Sequence, residues 1–326
     1  MKIFKNIVRN TLYNAGYFEL NRKIKKDRLI ILMYHRFSEW TEPFKINRLV
    51  FENQLLYLKK KYNFISLNDY SSFINGEREN SPALPIVLTI DDGYLDNYQI
   101  AFPVLKKYNV PATIFLATDF ISQKSWLWSN KLEFILKNSS FNTFELKLGE
   151  NIFTFQVDTF HGWHKTQLKI FNYCRHQPEE EKNKILENLA ELLKVKVPEQ
   201  TQADFVPLTW EQIKEMSRNK VNFGSHSCSH PILSRISNQQ LAHEIIDSKK
   251  EIENKLDQEV ISFAYPNGTP DDFNSTAIEI LKKNAYTCAV TTLPGNNQLK
   301  CEDPFRLKRI STDMDDNKNL AITLAR

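Results

Sequence analysis

The chain has 326 residues, 41% hydrophobic and 25% charged, a balance that gives a globular protein the apolar mass for one large core. Its net charge of +4 gives no warrant for nucleic-acid binding, which calls for a concentrated basic face. No stretch approaches the ~20 continuous apolar residues of a spanning helix. The four cysteines (Cys174, Cys228, Cys288 and Cys301) follow no zinc-finger or disulfide spacing and read as free thiols in a reducing compartment.

Residues 1–28 open the chain as a basic segment, with eight Lys and Arg against Glu19 and Asp27. Asn6, Arg9, Asn10 and Asn14 interrupt any secretory apolar stretch, which leads us to expect a cytoplasmic protein. As a helix, the segment would carry Ile3, Phe4, Ile7, Val8, Leu12 and Phe18 as an apolar stripe suited to the inner face of an anionic membrane. Packing on the rest of the protein, or a frayed tail, accounts for the same pattern.

Beyond it, short apolar runs alternate with helical patterns, the rhythm of βα units around a parallel sheet. Strands are predicted at Leu29–Tyr34, Ile86–Ile90, Ala112–Ala117, Val221–Gly224, Val260–Ala264, Tyr286–Thr291 and Leu307–Ser311. Thr209 with Gln212, and Ser237 with Gln240, have the form of capping boxes. The first would put Ile213 and Met216 inside, the second Leu241, Ile245, Ile252 and Leu256. Residues 29–326 are read as one unit whose rhythm an α+β insertion interrupts at about 125–205. It holds a hairpin (Phe144–Leu148, Ile152–Val157) and a helix near Glu179–Val195.

Reactive side chains gather just past the strand candidates, at the end where α/β barrels keep their active sites. His35 follows the first, Asp91-Asp92-Gly93 the second, His226 the fourth and Tyr265-Pro266-Asn267-Gly268 the fifth. His226 and His230, four apart on one helical turn or a tight loop, can reach a common point. Two histidines and a carboxylate make a three-ligand catalytic metal site. Adjacent carboxylates can divide the work, one ligating and the other taking a proton from water. The competing reading of Asp91-Asp92-Gly93 is a polar turn that caps the next helix, which explains one aspartate better than two. His161 and His164, a conceivable second metal pair, are read as surface or packing residues of the insertion, and Cys228, a conceivable thiolate ligand, is read as packing. Trp126, Trp128 and Trp210 suit either a sugar groove or ordinary burial.

These motifs resemble those of the polysaccharide deacetylases, the NodB-homology domain. Thr89-Ile-Asp-Asp-Gly93 is similar to the first motif of that family and His226-Ser-Cys-Ser-His230 to the second. Pro111-Ala-Thr-Ile-Phe115 and Phe263-Ala-Tyr-Pro-Asn-Gly268 extend the likeness over roughly residues 29–312. The resemblance implies a distorted (β/α)7 barrel and the hydrolysis of N-acetyl groups on an N-acetylated glycan. It implies Asp91 as general base and Asp92, His226 and His230 as ligands of a divalent metal, zinc first, with cobalt, nickel, manganese or iron also suited. Three departures stand out. Ala264 occupies the place of the third-motif arginine. Asn267 aligns with the tyrosine whose backbone N–H binds the oxyanion, a donor that survives the change. The late motif carrying a catalytic histidine is absent, since no histidine follows His243. Tyr34-His35-Arg36-Phe37 resembles the subgroup of poly-N-acetylglucosamine deacetylases with that histidine at the first strand, which implies His35 as the acid. Tyr265 and Trp210 are the substrate-binding candidates. Arg309, on a last strand that should close the barrel beside the first, is the candidate to orient Asp91 in place of the missing arginine; a surface salt bridge is the alternative. A metal-free glycosidase and a non-catalytic sugar-binding module are the competing functions.

Overall fold

Every residue of Pro85–Ile90 and of Ala112–Leu116 is buried, as near-continuous apolar strands covered on both faces must be. A computed structural model describes residues 27–77, 82–301, 303–312 and 317–324. Its barrel strands are β1 (Arg28–Tyr34), β2 (Pro85–Ile90), β3 (Ala112–Leu116), β4 (Val221–Ser225), β5 (Ser262–Ala264), β6 (Cys288–Pro294) and β7 (Leu307–Ser311). Each pairs in parallel with the next. Leu32 opposite Ile310 and Met33 opposite Ser311 close β7 onto β1. This is the distorted (β/α)7 barrel that the sequence resemblance implies. The distortion has a local origin. Strand β5 has only three residues and meets β4 at the single pair Phe263 and Ser225, and the β6–β7 register shifts between Val290 and Pro294.

The helix signals decide which faces turn inward. Thr209 and Gln212 form a reciprocal capping box ahead of Trp210–Ser217, which buries Ile213 and Met216. Ser237 caps Asn238–Leu256 through the Gln240 N–H alone, and that helix buries Leu241, Ile245 and Ile252, with Leu256 partly covered.

The insertion contains the expected hairpin, Thr143–Leu148 with Asn151–Gln156, and the expected helix, at Glu179–Leu192. It adds two helices that the sequence reading missed, Trp128–Lys137 and, after the hairpin, Phe160–Cys174. The buried positions of the latter, Trp163, Thr166, Ile170 and Cys174, are helically spaced, but Thr166 and Cys174 give a weak apolar signal. Trp128, Leu132, Phe144, Leu146, Trp163, Ile170, Leu186 and Leu189 form a core separate from that of the barrel, and Ile232, just past His230, joins it. Apart from Asp27 and Arg28, the basic segment lies outside the described residues, and so does its expected membrane contact. Among the described residues no helix is long and apolar enough to cross a membrane.

Candidate metal centre and active site

The chain turns sharply after β2. Asp92 takes a left-handed φ of 76° and Gly93 one of 85°, and a Cβ on Gly93 would lie 2.8 Å from Ile121 and 2.9 Å from Leu116. A non-glycine residue in that region is strained, and Ser227 (65°), His230 (59°) and Asn267 (60°) share the condition. Four such residues converge where reactive side chains gather.

Asp91 is buried and gripped by Arg309. Nη1 and Nη2 of Arg309 donate to Oδ1 and Oδ2 of Asp91, both at 2.7 Å, while Nε donates to Thr291 O at 2.8 Å and Nη1 to Thr89 Oγ1 at 3.1 Å. Burial alone would raise the Asp91 pKa, but the guanidinium overrides it and holds the carboxyl well below the usual carboxylate range. His35 stands at the barrel mouth with its Nε2 3.7 Å from Asp91 Oδ2 and its side chain 42% exposed. Its carbonyl accepts from Asn97 Nδ2 at 2.9 Å.

Asp92 Oδ1 lies 3.5 Å from His226 Nε2 and 3.6 Å from His230 Nε2. One donor atom from each of the three falls within 4.8 Å of the others. His226 and His230 come from a tight loop, not a helical turn. Nδ1 of His226 is 2.7 Å from the Ala264 carbonyl, which fixes the N–H there and leaves the Nε2 lone pair facing Asp92. Burial, with His226 alongside, pushes the His230 pKa well below its ordinary value, so the ring stays neutral with a lone pair to give. Burial pushes the Asp92 carboxyl the opposite way, above its usual range. An oxygen and two imidazole nitrogens converging in a buried site fit a divalent cation.

Two buried carboxylates brace the loops that carry these groups. Glu244 accepts from the Cys228 and Ser229 N–H groups at 2.9 Å each and from Ser229 Oγ at 2.6 Å, which holds the segment between the histidines. The sequence reading missed it, although it follows Leu241 by three on the buried helix face and precedes Ser248 by four, an unusual place for an acid. Asp272 accepts from Thr269 N at 2.8 Å and from Arg175 Nε at 2.8 Å, and its carbonyl takes the Ser234 N–H at 2.9 Å. It thereby ties the Asn267 loop, the segment after His230 and the insertion together. Cys228 is buried with its Sγ 3.7 Å from the Glu244 carbonyl, a packing position.

His35 and Asp92 line a cavity of about 510 Å³, with Arg36, Phe44, Tyr94 and Asn130 among the other walls. Asp91 and the two histidines lie buried behind it. A larger cavity, about 920 Å³ beside β1 and β7, includes none of these groups. Asn267 follows β5 with its carbonyl held by Thr292 Oγ1 at 2.6 Å. Two expectations fail. Tyr265 is fully buried, stacked on Phe273 at 3.8 Å with its hydroxyl donated to Phe305 O, so no substrate reaches it. Trp210 is absent from the cavity wall; it packs on the barrel core, directs Nε1 at Ser122 and lies under Lys255. Trp126 and Trp128 likewise pack, against Phe134 and Phe171. His164, read as a surface or packing residue, packs against Phe44 and Phe160 and also joins the cavity wall.

The profile of the family described as polysaccharide deacetylase matches residues 78–289. A Bacillus subtilis (strain 168) protein assigned as a polysaccharide deacetylase, YxkH, is 25% identical over 272 residues, 83% of this chain and 67% of that one. The poly-beta-1,6-N-acetyl-D-glucosamine N-deacetylase of Staphylococcus epidermidis is 29% identical over 131 residues, 35% of this chain and 45% of that one. The chain thus spans about two thirds of the first relative and under half of the second. Among solved structures, IcaB from Ammonifex degensii superposes with a TM-score of 0.60 at 19% identity, covering 92% of this chain and 98% of that one. The Streptococcus pyogenes deacetylase PplD, in complex with acetate, gives 0.59 at 21%, covering 91% and 99%. At those identities the likeness is one of fold.

Proposed function

We propose, on the premise that the chain belongs to the polysaccharide deacetylase family, that it removes N-acetyl groups from an amino-sugar glycan with a divalent metal ion held by Asp92, His226 and His230. What carries this reading is the juxtaposition of three convergent metal-ligand atoms with a second carboxylate, Asp91, fixed in place beside them. A divalent ion at that site, zinc first among those the donors suit, would polarise the acetyl carbonyl and acidify water.

The remaining work falls to the chain's own side chains. Asp91 accepts a proton from the attacking water, and its grip by Arg309 keeps it ionised and aimed. The Asn267 backbone N–H donates to the oxyanion that forms as the carbonyl carbon becomes tetrahedral. His35, exposed to the cavity and beside Asp91, gives a proton to the departing amine as the C–N bond breaks. The products are acetate and a free amino sugar. The Staphylococcus epidermidis relative is named for poly-beta-1,6-N-acetyl-D-glucosamine, and we take β-1,6-linked N-acetylglucosamine as the substrate class, within exopolysaccharide or cell-envelope glycan metabolism. Purified protein incubated with such oligomers should release acetate, and added zinc should restore activity lost to a chelator. Release that persists in Asp92→Ala after chelation would defeat the metal-dependent reading.

A further inference from the structure

The helix Phe160–Cys174 sends His164, Gln167, Leu168 and Phe171 into the wall of the same cavity that Asp92 and His35 line. Phe44, from the segment after β1, meets them there. Its ring centroid lies 5.1 Å from His164 and 5.9 Å from Trp163, and Phe160 stacks on His164 at 6.0 Å and 6°. Phe44 is half exposed although its φ is +61°, a strained setting for an aromatic residue. Large apolar rings open to water are ordinarily worth burying. Here two of them, Phe44 and Phe160, sit beside a cavity at whose other side a reaction is expected.

The polar atoms of this wall carry unspent capacity. Asn130 is 3% exposed; its Oδ1 accepts from Tyr94 Oη at 2.8 Å, but its Nδ2 has no partner among the described residues. Gln167 Oε1 is also buried and unpartnered. Such groups are costly unless something satisfies them. A donor, an acceptor and aromatic faces together match a pyranose ring, which presents an apolar C–H face and a rim of hydroxyl or acetamido groups.

We propose that Phe44, His164, Asn130 and Gln167 form a second sugar subsite, built largely by the insertion, for the N-acetylhexosamine residue next to the one that loses its acetyl group. The inference rests on the deacetylase reading above. The enzyme thereby selects a chain over a single sugar.

The test compares β-1,6-linked N-acetylglucosamine tetramer with the monosaccharide, using zinc-loaded wild type, Phe44→Ala, His164→Ala and the milder His164→Gln. The wild type should show a higher kcat/KM on the tetramer. Each alanine variant should lower the tetramer-to-monomer ratio about two- to tenfold, the worth of one aromatic contact. Tetramer binding, followed by tryptophan emission because Trp163 adjoins Phe44, should weaken in step. Ratios equal to wild type in all three variants overturn the subsite and leave the deacetylase reading standing. A wild type that releases no acetate but binds the tetramer, more weakly in Phe44→Ala, overturns the deacetylase reading and keeps the subsite. Neither release nor binding overturns both.

Discussion

Arg309 and Asp91, 218 positions apart in sequence, are joined by two parallel hydrogen bonds of 2.7 Å that reach across β1, which pairs with β7 on one side and with β2 on the other. The pair is buried on both sides, so neither charge has water to fall back on. Its partnership depends wholly on barrel closure.

Arg309→Leu should therefore cost about 3–5 kcal/mol of stability at neutral pH, read by denaturant melts, because it strands a buried carboxylate. The sign with pH follows from the depressed folded-state pKa of Asp91. Its stabilising contribution is present above the ordinary carboxylate pKa and is lost as pH falls toward the depressed value. In Arg309→Leu, burial loses its chief opponent, with only His226 and His35 left to counter it, and the folded-state pKa rises, so the acid limb of kcat/KM should move to higher pH. An unmoved limb would remove Asp91 from the role of base.

Asp92→Ala, His226→Ala and His230→Ala should each abolish stoichiometric zinc by metal analysis while the circular dichroism of the barrel persists. Zinc at a hundredfold excess over its Kd should raise wild-type stability by about 2.7 kcal/mol and leave the variants unmoved. A stabilisation retained in any of the three would exclude that residue as a ligand.

His35→Ala should keep its metal and lose ~10²–10⁴-fold in turnover on amide substrates. Aryl acetates, whose leaving groups need no proton, should be much less affected. Equal losses on both would show that His35 is not the acid.

Glu244→Ala should weaken zinc affinity about 10–100-fold without touching a ligand, the usual effect of removing a group that braces one. Competition with a chromogenic chelator gives the number. Unchanged affinity would mean that the loop between the histidines keeps its shape without the carboxylate.

Asp96 supplies a pH signature away from the metal. Burial raises its pKa to about 7 despite the nearby Arg36 guanidinium, whose Nε is 3.8 Å away. A carboxyl raised on folding contributes stability that is full below its unfolded pKa and lost as pH rises through about 7. Asp96→Asn should thus flatten the decline in stability between pH 4 and 7 relative to wild type, by at most about 4 kcal/mol. Parallel stability curves for the two proteins would contradict this.

Much of this was legible in the sequence wherever a local rule acts. Near-continuous apolar runs gave the strands, and polar residues just past their ends gave Asp91, Asp92, His35 and His226. The structure also brings Arg309 to Asp91, a placement that barrel closure and the absent third-motif arginine together suggest. The insertion was harder to read. The helix Phe160–Cys174 hides its period behind Thr166 and Cys174, so nothing local in the sequence links His164 to the cavity whose wall it joins. Tyr265 was misjudged because its position past β5 says nothing about which way a side chain turns, and Phe273 and Phe305 claim it for the core. Glu244 and Asp272 serve distant loops that adjoin only after folding.

The Ala264 carbonyl, rather than its side chain, anchors the His226 ring. Any residue at 264 supplies that oxygen, so the side chain there is released from metal ligation and the barrel can draw its guanidinium from another strand. Position 264 thus divides its labour between main chain and side chain. A larger side chain at 264 would have to find room at a fully buried core position, but the oxygen that orients His226 would be the same.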